Sequence, residues 1–158
     1  MSLDEYAKKR SFDKTPEPEA ERVKGEGSSF VIQKHDAQNL HYDFRLEKNG
    51  ILASWAIPKG LPEKINEKRL AIRTEDHPIK YRYFEGQIPK GQYGAGTVQI
   101  WDAGDYDSLK WDEDKDGVIE FILNGKKAKG RYSLVKTKGY SKNKESWLLI
   151  KNKPKTNS

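Results

Sequence analysis

The sequence predicts a mainly β fold, an antiparallel barrel or sandwich, and we prefer the barrel because closure leaves no strand edge exposed. Short runs of alternating apolar and polar residues recur from Phe30 onward, and no long helical periodicity follows the N-terminal residues. Asn49-Gly50 and Asn124-Gly125 lie next to such runs, and Asn-Gly favours the left-handed backbone conformations of a tight hairpin turn. Many short strands joined by tight turns are typical of a small antiparallel β-barrel.

The elements follow in order along the chain. Residues 2–10 are predicted to form a short helix, and a Pro-rich, charged segment then leads to the Gly/Ser-rich joint at 25–29. We therefore expect residues 1–27 to be an N-terminal arm that is mobile without its ligand, 28–153 to be the barrel domain and 154–158 to be a disordered tail. The strands are predicted at 29–34, 40–47, 51–57, 69–74, 96–101, 106–111, 118–123, 131–137 and 146–151.

Composition limits the class of protein. With 158 residues, the chain is long enough for one domain with a core but hardly for two. The absence of cysteine excludes disulfides and thiolate metal sites and is typical of a reducing compartment. No signal peptide opens the sequence and no apolar run has the length of a membrane span, so we expect a soluble, cytoplasmic protein with no membrane partner.

The charge is distributed unevenly along the chain. Residues 125–158 contain eleven Lys or Arg and one acid, a local charge of +10 within a total of +6, which leaves −4 for the first 124 residues. Such asymmetry indicates that the C-terminal part binds a polyanion, either nucleic acid or another phosphate-rich partner. The alternative interpretation is a lysine-rich surface that only keeps the protein soluble.

A candidate metal site lies in the segment 35–45. Polar residues alternate with apolar ones from Leu40 onward, so His41, Asp43 and Arg45 share one face of the predicted strand. His35 can return to that face if a bend intervenes. Two imidazoles and a carboxylate form a plausible ligand set for a divalent metal, and a guanidinium suits a phosphate. The alternative is an ordinary solvated face, which is weakened because the chain has only three histidines, two of them here.

Two further motifs are discounted. Residues 112–117 match the start of a calcium-binding EF-hand loop, but Leu123 occupies the position of its bidentate glutamate, so we interpret them as an acidic hairpin loop. The glycine-rich segment 91–96 lacks the lysine of a phosphate loop and precedes a strand, so we expect a tight bend or bulge. The third histidine, His77, lies in a short polar segment that we predict to be a loop.

Several blocks of the sequence resemble the 3′-phosphoesterase family, the nuclease module of bacterial DNA ligase D and its free-standing relatives. The resemblance runs in order from about Leu3 to Lys153, nearly the whole chain. The blocks that carry it are 30–37 (FVIQKHDA), 40–47 (LHYDFRLE), 54–60 (SWAIPKG), 75–78 (EDHP), 84–89 (FEGQIP), 91–96 (GQYGAG) and 146–151 (SWLLIK).

The resemblance implies a compact β-barrel flanked by one or two short helices, and an enzyme that processes the 3′ ends of primer strands. A phosphodiesterase step removes a 3′-terminal ribonucleoside, for which the 2′-hydroxyl is needed, and leaves a 3′-phosphate. A phosphomonoesterase step then leaves a 3′-hydroxyl for repair by non-homologous end joining. The metal that the resemblance implies is Mn²⁺, and the implied partners are DNA or RNA 3′ ends and a DNA ligase or polymerase acting in trans.

The resemblance also implies roles for individual residues. The implied metal ligands are His35, His41 and Asp43, and the implied groups that hold the scissile phosphate or act on it are Arg45, His77 and Tyr81. Further substrate contacts fall on Lys59, Arg69 and Glu75 in the barrel and on Arg10 and Glu17 in the arm. Both arm residues match positions linked to the diesterase step. Ser11 departs from the family, which often has an acid directly after this arginine, so the diesterase step is less secure.

Two other functions fit the same residues. A non-enzymatic, basic nucleic-acid-binding β-barrel would also use a positive surface and exposed aromatic side chains, and would make the histidines mere surface residues. A hydrolase acting on small phosphoesters would need the polar cluster but not the +10 C-terminal region. Metal-dependent release of phosphate distinguishes the enzyme from the non-enzymatic barrel. A steep loss of binding with added salt distinguishes a polynucleotide substrate from a small phosphoester.

Overall fold

The computed structural model describes residues 2–21, 27–138 and 145–154. One short α-helix, α1, covers Leu3–Lys8, and a 3-10 helix covers Ile79–Tyr83. Among the described residues, no helix has the length and apolar character that crossing a membrane would require. The strands are β1 (Ser29–Asp36), β2 (Leu40–Lys48), β3 (Ile51–Ile57), β4 (Lys68–Pro78), β5 (Gly86–Ile88), β6 (Gly96–Asp112), β7 (Val118–Asn124), β8 (Lys129–Lys136) and β9 (Ser146–Lys151).

The strands form one antiparallel sheet in the order β1-β2-β3-β4-β9-β8-β7-β6-β5. Pairing of β6 with β1 closes eight of these strands into a barrel, and β5 pairs with the start of β6. The predicted barrel is therefore confirmed, as is a short helix in the arm. Closure satisfies the backbone hydrogen bonds that an open sheet would leave at its edges.

Two predicted strands, 96–101 and 106–111, are one continuous strand, and this prediction was wrong. The polar residues between them indicate a break in the sequence, but β6 continues because it pairs in turn with β5, β1 and β7. Asp102 is buried there because its carboxylate accepts hydrogen bonds from the backbone N–H groups of Lys126, Lys127 and Ala128 at 3.1, 2.9 and 2.7 Å. The Asp102 carboxylate, within β6, thus satisfies the backbone N–H groups of the β7–β8 turn.

The barrel interior is apolar and largely aromatic. Trp55 and Trp147 are fully buried and meet edge to face with ring centroids 5.8 Å apart, and Phe44 packs 5.6 Å from Phe121. Truncating one such ring to alanine typically lowers the free energy of unfolding by about 3–5 kcal/mol. Because strand residues alternate between faces, Gln33 and His35 of β1 and His41, Asp43 and Arg45 of β2 lie on the outer face of the barrel.

A second, smaller apolar cluster lies on this outer face and contains Tyr6, Tyr81, Phe84 and Ile88. Tyr6 comes from α1, which packs on β4, and is fully buried. The described part of the N-terminal arm therefore lies against the barrel in this structure. Its mobility without a ligand stays a prediction, and residues 22–26 of the arm and 155–158 of the predicted tail lie outside the described residues.

Candidate metal and phosphate site

The first hairpin brings the predicted metal ligands together. In the antiparallel pairing of β1 with β2, His35 lies opposite His41 and Gln33 lies opposite Asp43. Directly opposed residues of an antiparallel pair point to the same side of the sheet. The bend needed to return His35 to the polar face of β2 is the connection at residues 37–39.

The ligand atoms of His35, His41 and Asp43 lie within 4.8 Å of one another. Nδ1 of His35 is 3.3 Å from one carboxylate oxygen of Asp43, and Nε2 of His41 is 3.2 Å from the other. The far nitrogens donate hydrogen bonds to the main-chain carbonyls of Gly94 at 2.7 Å and Asn39 at 3.0 Å. In the neutral rings, the nitrogens that face the carboxylate therefore carry lone pairs.

This donor set fits a divalent cation. Two nitrogen lone pairs and a carboxylate that face one another repel unless a proton or a metal ion lies between them. The carbonyl bonds to the far nitrogens fix the ring orientation, as is usual for metal-binding histidines. With only three protein donors, positions remain open for substrate or water.

Electrostatics at the cluster favour a negative carboxylate. Burial raises the pKa of Asp43, but hydrogen bonding to His35 and His41 and the charge of Arg45 outweigh burial and hold this pKa well below its usual range. Burial lowers the pKa of His41, but the hydrogen bond to Asp43, the charge of Asp43 and the hydrogen bond to the Asn39 carbonyl together outweigh burial and leave this pKa raised. The site therefore keeps an ionised carboxylate that attracts positive charge.

Arg45 lies beside the cluster with its guanidinium held in place. Its Nε donates a 2.7 Å hydrogen bond to Gln33 Oε1, and its guanidinium carbon lies 4.7 Å from the centre of the Tyr81 ring. The amide nitrogen of Gln33 in turn donates to the carbonyls of Tyr81 and Phe84 at 2.7 and 3.1 Å. Arg45 Nη1 is buried without a hydrogen-bond partner, so a donor is available for an oxyanion.

His77 is buried in β4, and the prediction of a loop there was wrong. The strand continues because Leu52 pairs with His77 beyond a register shift in β3. Its Nδ1 donates to the carbonyl of Glu75 at 2.8 Å, so Nε2 carries the lone pair of the neutral ring. Burial and the charges of Arg45 and Arg10 hold the pKa of His77 well below its usual value.

The arm closes one side of the cavity through a buried carboxylate network. The Tyr81 hydroxyl donates to Glu17 at 2.6 Å, and Arg10 Nε donates to the same oxygen at 2.9 Å. Arg10 also contacts Glu75 at 3.2 Å, which Lys9 reaches at 3.0 Å. Burial, the charge of Glu17 and its hydrogen bond raise the pKa of Tyr81 well above its usual value, although Arg45 and Arg10 lower it.

Most of the predicted site residues line one cavity of about 500 Å³. These residues are His35, His41, Asp43, Arg45, His77, Tyr81, Glu75, Arg10 and Glu17. Lys59 and Arg69 do not line it, and Arg69 forms an ion pair with Glu67 at 3.3 Å. Both line a small neighbouring cavity, which shares Pro58 with the larger one.

Sequence reasoning missed Gln33 and Gly94. Gln33 is a polar residue directly after three apolar ones, two positions before His35, and that spacing was the available signal. The glycine-rich segment is the predicted tight bend, with φ angles of +76° at Gly94 and +139° at Gly96. A Cβ atom on Gly96 would lie 2.2 Å from a carbonyl oxygen, so only glycine fits there. This bend places the carbonyl that orients His35.

The chain is similar to a known protein family and to several curated relatives. The protein family described as "DNA Ligase D 3'-phosphoesterase domain" matches residues 33–136 of the chain. The chain is 51% identical over 149 residues to "Multifunctional non-homologous end joining protein LigD" of Mycobacterium bovis, covering 92% of this chain and 19% of the relative. It is 45% identical to the proteins of the same name from Mycolicibacterium smegmatis, over 166 residues, and Pseudomonas aeruginosa, over 158 residues.

The chain thus spans about a fifth of the length of these curated relatives, 21% and 18% in the last two. The match includes the residues of the first hairpin and those of β4 that surround the candidate site. This chain belongs to the DNA ligase D 3′-phosphoesterase family.

Proposed function

We propose that this protein is a divalent-metal-dependent 3′-phosphoesterase that prepares nucleic acid ends for repair. In the first step, a phosphodiester bond is hydrolysed and a 3′-terminal ribonucleoside leaves, so that the strand ends in a 3′-phosphate. In the second step, water adds to the phosphorus, the bond to the 3′ oxygen breaks, and inorganic phosphate and a 3′-hydroxyl result. The observation that carries the proposal is the convergence of His35, His41 and Asp43 beside the unpartnered Nη1 of Arg45.

His35 Nδ1, His41 Nε2 and a carboxylate oxygen of Asp43 would hold the cation, for which we propose Mn²⁺. A bound divalent metal supplies a Lewis acid that polarises a phosphoryl oxygen and offsets charge in the transition state. Nitrogen and oxygen donors suit several divalent transition metals, and the absence of thiolates disfavours the softer ones.

Arg45 is assigned to the phosphate. Its Nη1 donates to a phosphoryl oxygen while Gln33 holds Nε, so the guanidinium keeps one orientation. A charge-assisted hydrogen bond in a buried site is about twice as strong as a neutral one. The preorganised donor therefore stabilises negative charge without reorganisation during the reaction.

His77 is assigned to proton transfer at Nε2. Because its pKa is held low, this nitrogen carries a lone pair at neutral pH and accepts the proton that the attacking water loses. The resulting imidazolium then donates the proton to the leaving oxygen. Tyr81, whose hydroxyl donates to Glu17, is assigned to holding the arm against the site and to supporting the Arg45 guanidinium with its ring.

The arm is assigned to the diesterase step. Arg10 and Glu17 line the same cavity as the residues assigned to the phosphate. A diester substrate has one nucleoside more than a monoester, and we assign the arm to contacts with that nucleoside. The relatives bear the name of multifunctional end-joining proteins. We propose that the 3′-hydroxyl made here serves a DNA ligase or polymerase in the same repair process.

The test is release of phosphate from an oligonucleotide that ends in a 3′-phosphate, with Mn²⁺ and with or without a chelator. We expect release that the chelator abolishes and that is restored by excess metal. Release in the presence of chelator would contradict the metal assignment. Binding of the oligonucleotide without release in any divalent metal would favour the non-enzymatic barrel.

A further inference from the structure

A groove at one end of the barrel carries a net positive charge, because three lysines and a single acid, Glu63, line it. Its cavity has a volume of about 410 Å³ and is separate from the site cavity. It spans the barrel opening, because its lining comes from β2, the β3–β4 connection, β6, the β7–β8 turn, β8 and β9. Its lining residues include Tyr42, Lys59, Trp101, Lys127, Tyr132 and Lys151.

The floor of this groove is aromatic. Tyr42 and Trp101 meet edge to face with ring centroids 6.0 Å apart, and both are only partly buried. Trp101 lies at a bulge in β6, since Gln33 pairs with Ile100 and Ile32 pairs with Asp102, which leaves the tryptophan without a partner on β1. A bulge redirects a side chain from the regular alternation of a strand.

The rim of the groove is basic. Lys127 Nζ lies 4.9 Å from the centre of the Trp101 ring, and Lys151 Nζ lies 5.7 Å from that of Tyr132. Within the described part of the chain, neither of these ammonium groups nor that of Lys59 forms an ion pair with a carboxylate. The groove therefore places positively charged side chains next to aromatic rings.

The opposite end of the barrel is different. Lys48 ends β2, whereas Tyr42 lies near its start, so the cavity beside Lys48 is at the other opening. There Arg73 pairs with Asp76 at 2.9 Å and with Glu113 at 2.7 Å, and Lys136 pairs with Glu145. Ion pairs therefore neutralise these cations at that end, so the opening that contains the groove is the more basic of the two.

The groove also adjoins the candidate active site. Lys59 lines both the groove and the small cavity that contains Arg69, and Pro58 connects that small cavity to the site cavity. His41 and Tyr42 are neighbours on β2 and point to opposite faces of it. A chain bound at the metal cluster can therefore pass over the rim at Pro58 and Lys59 into the groove.

We propose that this groove binds the unpaired part of the polynucleotide whose 3′ end lies in the candidate active site. Phosphates contact Lys127 and Lys151, and a base stacks on Trp101. Base stacking on aromatic side chains combined with a basic groove is the usual mode of single-strand binding. The choice of this occupant rests on the proposed function, whereas the charge and shape of the groove do not.

The test measures binding alone, in chelator, so that it is independent of turnover. A labelled single-stranded oligonucleotide ending in a 3′-phosphate is titrated by fluorescence anisotropy with the wild type and with K127Q/K151Q. We expect the double variant to bind roughly tenfold more weakly, and the slope of log affinity against log salt to fall by about 2. The matched control is K110Q/K115Q, which removes two exposed lysines from the β6–β7 hairpin and should leave both values unchanged.

A second variant, Trp101→Leu, keeps an apolar side chain and tests the stacking. Oligonucleotide binding should quench tryptophan fluorescence in the wild type, and most of this quenching should be absent in the variant. The proposal would be overturned if K127Q/K151Q bound the oligonucleotide as tightly as the control K110Q/K115Q. It would also be overturned if the Trp101→Leu variant showed the full fluorescence quenching of the wild type. If the groove variants weaken binding but the wild type releases no phosphate, the proposed function fails and the groove assignment stands.

Discussion

The hydroxyl of Tyr81, on the barrel, donates a 2.6 Å hydrogen bond to Glu17 of the N-terminal arm, and both groups are buried. The same carboxylate accepts a hydrogen bond from Arg10 at 2.9 Å, while its second oxygen accepts one from Thr15. Tyr81 thus links the arm to the ring against which Arg45 packs. The Tyr81 hydroxyl can therefore have one of two roles. It either donates a hydrogen bond to the substrate phosphate or anchors the arm through Glu17.

We predict that Tyr81→Phe impairs the diesterase step more than the monoesterase step. The ring that supports Arg45 remains, but Glu17 loses a charge-assisted hydrogen bond that contributes about 1.5–3 kcal/mol to holding the arm. Rates on oligonucleotides with a 3′-ribonucleotide and with a 3′-phosphate give the ratio, and limited proteolysis reports release of the arm. Equal losses on both substrates would instead indicate that the hydroxyl contacts the phosphate.

Deletion of residues 1–27 should shift the same ratio further. It removes Arg10 and Glu17, together with Tyr6, whose ring packs against Tyr81 and His77. We expect the diesterase step to be largely lost while part of the monoesterase step persists. Circular dichroism and the unfolding temperature show whether the barrel remains folded, and a folded deletion variant with equal losses in both steps would contradict the assignment of the arm.

Asp43→Asn should remove metal binding with little change of shape. The amide keeps the volume of the carboxylate but not its charge, so we expect Mn²⁺ affinity to fall at least about 100-fold and both steps to be lost. Isothermal titration calorimetry measures the affinity directly. The control is Asp36→Asn, which removes an exposed acid in the same hairpin and should bind Mn²⁺ like the wild type.

Gln33→Met tests the positioning of Arg45. The substitution preserves length but removes the acceptor for Arg45 Nε and the donor to two carbonyls, so we expect the free energy of unfolding to fall by about 1–3 kcal/mol. Turnover of a 3′-phosphate should fall because the guanidinium is no longer oriented, whereas Mn²⁺ affinity should be retained. Loss of metal affinity in a folded variant would show that Gln33 acts on the metal cluster and not through Arg45.

Stability in chelator should decrease at mildly acidic pH because of His77. Its pKa is lowered by burial and by Arg45 and Arg10, so the unfolded chain binds more protons than the folded one. The free energy of unfolding therefore falls as the pH drops below about 6.5, by up to about 1.4 kcal/mol per pH unit until the folded pKa is reached. The raised pKa of His41 acts in the opposite sense, since its stabilisation is lost as the pH rises through that value.

The measurement is urea unfolding of the wild type and His77→Asn at several pH values, in chelator throughout. Asparagine can still donate to the Glu75 carbonyl but does not titrate, so the variant should lose less stability between neutral and mildly acidic pH. The slope is informative even if the variant is less stable overall. Identical slopes would show that another group dominates the acid dependence.

The sequence was sufficient for the local parts of this molecule. Alternation from Leu40 onward places Asp43 and Arg45 on one face, and a single short connection brings His35 opposite His41. Asn49-Gly50 forms the expected turn, with φ angles of +52° and +82°. These features depend on neighbouring residues, so a pattern within a dozen residues contains the information. The prediction of a left-handed turn at Asn124-Gly125 was wrong, because neither residue has a positive φ and the Gly125 N–H donates to the Ala128 carbonyl at 2.9 Å in a longer turn.

Features that depend on distant segments could not be predicted in the same way. Strand β5 has only three residues and exists because β6 pairs with it. In the sequence, Asp102 indicates the end of a strand. It is tolerated inside β6 because its carboxylate accepts a hydrogen bond from the β7–β8 turn, which is distant in sequence. His77 belongs to a strand because β3 continues the pairing past its register shift, and Lys59 lies away from the metal cluster because the β3–β4 connection follows the barrel rim.

The proposed metal ligands all lie between positions 35 and 43, on a single hairpin, whereas His77, Tyr81 and the arm reach the site from elsewhere in the chain. If these residues act as proposed, capture of the cation needs one local turn of chain, but the groups assigned to the phosphate need the finished barrel with its arm docked. A partly folded chain would then hold metal without being able to cut, and completed assembly would protect nucleic acid from an incomplete enzyme.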